Sequence, residues 1–244
     1  MAYMLVSNRM EMTFWHTWQD YKNAQQEIEL PANTAAHIPV TIRYVDVGTD
    51  QSGTILLMHG IPTWGYLYHA VIPPLVEAGY RVIAPDFLGH GWSDRRDRFD
   101  RSFQDQARMI LALLNALELP QVHVVGHDTG GAVALILGIE YSQVVNQLVI
   151  TNSVCYDRFD DDMLDFGHPL RWKPRPVDDL VAALEESLAM GLARPERLTA
   201  DFRAGMIAPW ASEDGKLSLL RNASALNANQ TMALVDRHGT ITAP

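Results

Sequence analysis

Val124-Val125-Gly126-His127-Asp128-Thr129-Gly130-Gly131 is the stretch whose reading decides the fold. A short apolar run, Val122 to Val125, ends at Gly126, and a second apolar run continues from Gly131 to Ile139. The first reads as a strand buried on both faces. The second is apolar on all sides, which suits a helix packed against a sheet. Between them stands Gly-x-Asp-x-Gly. A side chain at the middle of such a turn is pushed out at the strand's end, and the flanking glycines let helix and strand approach closely. A carboxylate there stands at a helix N-terminus, where the dipole and free N–H groups keep it ionised. An ionised carboxylate in that place is a nucleophile for carbon. A plain helix cap at Asp128 fits the same residues, and both readings stay open. A dinucleotide loop fits less well. Gly126, Gly130 and Gly131 miss the G-x-G-x-x-G spacing, and a carboxylate would repel phosphate.

Outward from this stretch, strands and helices alternate. Val40, Ile42 and Tyr44 alternate with polar residues up to Gly48, a half-exposed strand. Ile55 to Met58 is a solid apolar run ending at His59-Gly60, and Tyr80 to Ala84 is another ending at Pro85-Asp86. A helix is expected over Tyr66 to Ala78. Ser102 with Asp105 starts a further helix, carried by Ala107, Ile110, Leu111, Leu114 and Leu117 and stopped by Pro120. Val144 to Thr151 reads as a fourth buried strand. Such alternation implies parallel pairing and right-handed crossovers, with ligands bound at the carboxyl ends of the strands. The fold class is α/β: a mostly parallel sheet with helices on both faces.

After residue 153 the texture changes. Asp157 to Asp165 is acidic and irregular, and Pro169, Pro174 and Pro176 break the chain. Helices then resume without strands. Leu180, Val181, Leu184 and Leu188 share a face ending at Gly191, and Leu198, Phe202 and Met206 form a stripe after Pro195. The division expected is a core over 1–153, a helical insert over 154–225 and a return to the core over 226–244, with one helix from Ala225 to Asp236.

Composition bounds the partners. Of 244 residues, 48% are apolar and 20% charged, which excludes overall disorder. The net charge of −10 argues against a nucleic-acid or anionic membrane partner. Arg95, Arg96, Arg98 and Arg101 alternate with Asp94, Asp97 and Asp100, a solvated mixed-charge loop. A lone Cys155 excludes a disulfide framework and a cysteine zinc site. The residues Met1 to Met12 carry too short an apolar run for a signal peptide, and no run approaches a membrane span. A cytoplasmic, reducing location is the default expectation. His37, His69, His90 and His168 show no metal spacing, and Asp160-Asp161-Asp162 reads as a solvated surface run. No metal or cofactor is expected. His123 and His127 read as packed rather than catalytic, and Ser93 as a turn residue. The oligomeric state is not legible.

A second segment, His59-Gly60-Ile61-Pro62-Thr63-Trp64, also follows a strand. A tight turn there would aim the Ile61 N–H inward, and with the Thr129 N–H it would make a two-donor oxyanion hole. An ordinary strand-to-helix turn reads the same way. Taken with Arg81-Val82-Ile83-Ala84-Pro85-Asp86-Phe87-Leu88-Gly89-x-Gly91-x-Ser93-Asp94, these segments resemble the α/β-hydrolase superfamily, in its haloalkane dehalogenase and epoxide hydrolase branch. The resemblance covers about residues 25–155 strongly. It implies that Asp128 attacks a small apolar organic substrate, forming an alkyl-enzyme ester that a histidine-activated water hydrolyses. Ile61 and Thr129 N–H would hold the oxyanion under a helical cap. Trp64 and Trp172, with Trp210 as a further candidate, would stand at the substrate or leaving group.

The sequence departs from the family pattern at identifiable places. Thr129 stands where dehalogenases carry the tryptophan that holds the halide, and Ile61 where many carry Asn or Glu. From Asp157 onward the chain has no tyrosine to protonate an epoxide, leaving Tyr156. The expected later strands, with the catalytic histidine, are missing up to Pro244. His238 comes too early, and Asn152 occupies a position where some members carry the orienting acid. Epoxide hydrolysis, ester hydrolysis and a catalytically incomplete binding protein or fragment without its histidine are the alternative expectations.

Overall fold

In the computed structural model, the described residues are 14–32, 38–157, 165 and 167–244. The readings of Met1 to Met12, His37 and Asp160-Asp161-Asp162 lie outside them. Helix α1 (Trp18–Ala24) opens the described chain and leads into β1 (Gln26–Leu30). Thr17 caps α1 reciprocally: its hydroxyl accepts the Asp20 N–H, and the Asp20 carboxylate accepts the Thr17 N–H. Neither element was expected from the sequence. The helix is only seven residues long, and β1 buries a single residue fully, Leu30.

Strands β2 (Val40–Gly48), β3 (Thr54–Met58) and β4 (Arg81–Pro85) stand where the apolar runs placed them. So do α3 (Phe103–Ala116), β5 (Val122–Asp128), α4 (Thr129–Glu140) and β6 (Val145–Ser153), with α2 (Ile72–Glu77) between β3 and β4. The six strands run in the order β1-β2-β4-β3-β5-β6. From β4 to β6 the pairing is parallel, while β1 and β2 add on antiparallel. One face packs β-residues such as Leu56, Met58, Ile83 and Val124 under α3 and α4. The other packs Ile55, Leu57, Val82 and Ala84 against Tyr21, Trp64 and Ile72.

Two expectations need correction here. The helix over Tyr66 to Ala78 is instead a 3-10 turn, Gly65–Tyr68, followed by the short α2. Pro73 and Pro74 explain the break: lacking N–H groups, they fit the first turn of a new helix and not the interior of an old one. Strand β6 is not buried. It lies at the sheet edge, and Val149 and Ile150 are 49% and 38% exposed. Its apolar residues resemble those of a covered strand, so composition places the strand and misreads only its burial.

After β6 come α5 (Pro169–Trp172), α6 (Val177–Met190), α7 (Ala200–Ile207), α8 (Glu213–Ser224) and α9 (Ala228–Met232). Pro195 lies in a separate 3-10 turn, and α7 begins later because Thr199 caps it by accepting the Phe202 N–H. The helix expected from Ala225 to Asp236 is the shorter α9 and then a 3-10 turn over Val235–Thr240. Trp172, Leu180, Leu184, Trp210, Leu219 and Leu220 form a third apolar cluster that packs on Ile61 of the core. Among the described residues no strand follows β6, and its Leu148 N–H donates to the Pro244 carbonyl at 3.0 Å.

Candidate active site

Asp128 ends β5 and stands immediately before α4, with φ 55° and ψ −123°. Positive φ is uncommon for a residue with a Cβ and marks strain held by its surroundings. Those surroundings are tight. A Cβ on Gly130 would lie 2.3 Å from the Met58 carbonyl oxygen, and one on Gly126 would lie 2.5 Å from the Gly130 oxygen. No side chain larger than hydrogen fits where β3, β5 and α4 meet.

Because β3 and β5 pair in register, Met58 opposite Gly126, the loops that follow them emerge side by side. The loop after β3 is a compact turn: the Thr63 N–H donates to the Gly60 carbonyl at 3.1 Å, and the Thr63 hydroxyl does so at 2.9 Å. It aims the Ile61 N–H at Asp128 Oδ1, 2.8 Å away. Gly60 makes that approach possible, since a Cβ there would lie 2.1 Å from the same oxygen. Thr129, the first residue of α4, is buried next to them.

Behind the turn, His59 is fully buried. Its Nδ1–H donates to the Gly60 carbonyl at 2.8 Å and its Nε2 accepts the Phe87 N–H at 3.0 Å. Burial pushes its pKa down to about 4, so the ring is neutral. Asp86, at the end of β4, accepts from Gly65 N–H, Trp92 N–H and Gln25 Nε2. Burial raises its pKa to about 6, against the pull of those three donors. Both residues tie strand ends to loops. Ser93 does likewise, donating to the Asp86 carbonyl and accepting the Arg43 N–H, in keeping with a turn residue.

Asp128 opens on a cleft of about 440 Å³ between the strand ends and the helices that follow β6. Leu67, Leu188, Leu192, Phe202 and Met206 make it largely apolar. The stripe Phe202–Met206 was legible, but it reads as packing until the cleft beneath it is seen. His127 also lines the cleft, against the sequence expectation of a packed residue, while its Nδ1 faces the Thr151 carbonyl at 3.2 Å. Burial lowers its pKa, and the Asp128 charge opposes that.

The tryptophans are placed otherwise than expected. The Trp64 ring is fully buried and its indole N–H donates to the Gly205 carbonyl at 2.8 Å. Trp172 donates to the Asp165 carbonyl at 3.2 Å and packs among the helices after β6. Trp210 donates to the Pro62 carbonyl at 2.7 Å. Each indole N–H is therefore engaged by a carbonyl, and none of the three rings lines the Asp128 cleft. A bulky indole is easily read as a ligand donor in sequence, yet here burial demands that its N–H find a protein acceptor. The tyrosines nearby are similarly engaged: Tyr66 donates to Asp201 and Tyr68 to the Met58 carbonyl. His238 stacks edge-on against Tyr156 and does not line the cleft. Among the described residues no cluster of three His, Cys, Asp or Glu could hold a metal ion, and no helix is long and apolar enough to cross a membrane.

Residues 53–212 match the family model described as the alpha/beta hydrolase fold. A haloalkane dehalogenase from Mycobacterium marinum is 32% identical over 133 residues, covering 54% of this chain and 44% of that protein. One from Psychrobacter cryohalolentis is 39% identical over 100 residues, 41% of this chain and 33% of the relative. The matched stretch thus spans less than half the length of these relatives. Among solved structures, a haloalkane dehalogenase from Bradyrhizobium elkani superposes with a TM-score of 0.71 at 25% identity, covering 88% of this chain and 76% of the other. An alpha/beta hydrolase fold protein from Burkholderia ambifaria gives 0.75 at 23% identity, with 81% and 72% covered.

Proposed function

The chain belongs to the alpha/beta hydrolase fold family, and from that premise we propose that it hydrolyses carbon–halogen bonds of small apolar molecules through a covalent ester on Asp128. The observation that carries this reading is the Ile61 N–H, 2.8 Å from Asp128 Oδ1 at the mouth of an apolar cleft. With the Ile61 N–H on Oδ1, the attack is assigned to Oδ2. Oδ2 forms a bond to the substrate carbon as the carbon–halogen bond breaks, and the halide leaves with the bonding pair. Oδ1 becomes the carbonyl oxygen of the ester. When water adds to that carbonyl, the negative charge grows on Oδ1, where the Ile61 N–H already points and the Thr129 N–H is the second donor. The ester collapses to Asp128 and an alcohol, with one proton released. The helices after β6 act as the cap that keeps bulk water from the cleft.

Epoxide opening is less well supported. It needs an acid to protonate the departing oxygen, and both tyrosines near the cleft donate elsewhere. Ester hydrolysis through a serine has none at the elbow, where Asp128 stands. The similarity to proteins titled haloalkane dehalogenase favours halide as the leaving group.

A single turnover in heavy-oxygen water tests the mechanism. With a short bromoalkane, the alcohol should carry ordinary oxygen, taken from Asp128, and the Asp128 peptide should gain the heavy label. Asp128→Asn should form no adduct. Heavy oxygen in the first-turnover alcohol would mean direct attack by water and would overturn the reading.

A further inference from the structure

Hydrolysis of an ester on Asp128 needs a base, because water at neutral pH is a weak nucleophile. Of the residues lining the Asp128 cleft, His127 alone carries an imidazole. We propose that His127, one residue before the nucleophile, is the general base that activates the hydrolytic water. The proposal rests on the alkyl-ester reading of Asp128 and names the group that discharges that ester. In the α/β-hydrolase pattern the imidazole comes from strands after the helical cap; here it stands near the end of β5.

The sheet fixes the ring. His127 pairs with Thr151 of β6, and its Nδ1 meets the Thr151 carbonyl at 3.2 Å. A carbonyl only accepts, so Nδ1 carries the hydrogen and Nε2 the lone pair. Among the described residues Nε2 has no hydrogen-bond partner, and the residue is half-buried. Consecutive side chains of a regular strand face opposite sides of the sheet. His127 and Asp128 nevertheless reach one cleft. The register of β5 on β6 shifts between these two residues, where Asn152 at φ 41° takes the extra place. Bulges of this kind re-aim side chains beside active sites.

The other imidazoles near the turn are placed differently. His59 has both ring nitrogens engaged by backbone groups. His90 lines a second, smaller cavity of about 20 Å³ beside Ile61 and Thr129.

The charges around His127 favour the role. Burial lowers its pKa, and the Asp128 charge opposes that. Alkylation removes the charge, since an ester is neutral. Burial then acts alone, and the ring is held unprotonated at the stage that requires a base. His59, behind the turn, is neutral. Opposite, β6 presents Thr151 and Ser153, while Ser187 of α6 and Phe202 of α7 line the cleft, all uncharged.

In the step itself, Nε2 takes a proton from water as the water oxygen bonds to Asp128 Cγ. The negative charge falls on Oδ1, facing the Ile61 N–H. The Cγ–Oδ2 bond then breaks, and the proton on His127 passes to the departing alkoxide, which leaves as the alcohol. The carboxylic acid left at Asp128 releases the second proton of the water.

Intact-mass kinetics of the full chain with a short bromoalkane separates the two steps. His127→Gln keeps an amide N–H for the Thr151 carbonyl and removes the base. It should still form the ester, which should then decay about a hundred- to ten-thousandfold more slowly than in the unaltered protein. In the unaltered protein the decay rate should rise with pH and level off, with a midpoint below histidine's ordinary 6.5. In His127→Gln that midpoint should vanish. Equal decay in the two proteins, or decay without a midpoint in the unaltered one, would overturn the assignment and leave the dehalogenation reading standing. An ester that forms on the unaltered protein and persists would do the same. No ester on Asp128 of the unaltered protein would overturn both. The pH profile needs no variant, so the assignment stays testable even if His127→Gln does not fold.

Discussion

At the scale of single residues, the active-site turn depends on space more than on chemistry. Gly60 carries no functional group, yet a methyl there would occupy the place of the Asp128 carboxylate. Gly60→Ala should therefore slow ester formation by about a hundredfold, the cost of roughly 1 Å of misplacement. Intact-mass kinetics with a bromoalkane would show it, with Asp128→Asn as the blank. A Gly60→Ala enzyme that alkylates at the original rate would mean the turn relaxes freely. The place of Asp128 at a strand-to-helix turn was legible because Gly-x-Asp-x-Gly between two apolar runs leaves few alternatives. The roles given to Trp64 and Trp172 were not, because a sequence shows a donor but not the carbonyl that has already engaged it.

At the scale of elements, α7 roofs the cleft and is pinned to the core by few polar links. The Tyr66 hydroxyl donates to Asp201 Oδ2 at 2.6 Å, the Trp18 N–H donates to the same oxygen at 3.1 Å, and Trp64 reaches the Gly205 carbonyl. Tyr66→Phe keeps the ring and removes one donor to a carboxylate, which is worth about 1.5–3 kcal/mol. The half-exposed setting of Asp201 puts the expected loss at the lower end. Amide exchange in α7 should quicken beyond the global change in stability. Exchange unchanged in α7 would show that apolar contacts alone hold the roof. Element positions followed from apolar runs wherever a strand is covered on both sides, as β3 is. At β6 the position was right and only the burial was not, since among the described residues that strand lies at the sheet edge; positions failed at α1 and β1, whose few buried residues give no periodic signal.

At the scale of the whole molecule, buried titratable groups set the response to acid. His59 is neutral when folded, with a pKa near 4 against an ordinary 6.5. The unfolded chain takes up its proton first. The stability His59 contributes is therefore full above pH 6.5 and is lost as pH falls toward 4, by about 3 kcal/mol. His90 is shifted in the same direction. Asp86 works against them: its folded pKa, raised to about 6 from 3.8, favours the folded state as pH falls through that interval. Two imidazoles outweigh one carboxylate, so urea midpoints should drop between pH 6.5 and 4. Asp86→Asn removes the opposing group and should steepen that drop. A shallower profile in Asp86→Asn would show that the carboxyl stays ionised in the fold, with its three donors prevailing over burial.

Ile61 touches both cavities, and it does so with different parts of itself. Its backbone N–H serves Asp128, while its side chain helps wall off the smaller space. A backbone donor is indifferent to the side chain it carries. Position 61 is thus a place where backbone and side chain can be varied apart: a library of residues there should reshape the small cavity while the N–H that faces Asp128 stays in place. Ile61→Val, a loss of one methylene at about 0.5–1.5 kcal/mol of stability, is the mildest member of that library. Descendants of this sequence could reshape that small space by single steps at this position without altering the residue that carries the carboxylate.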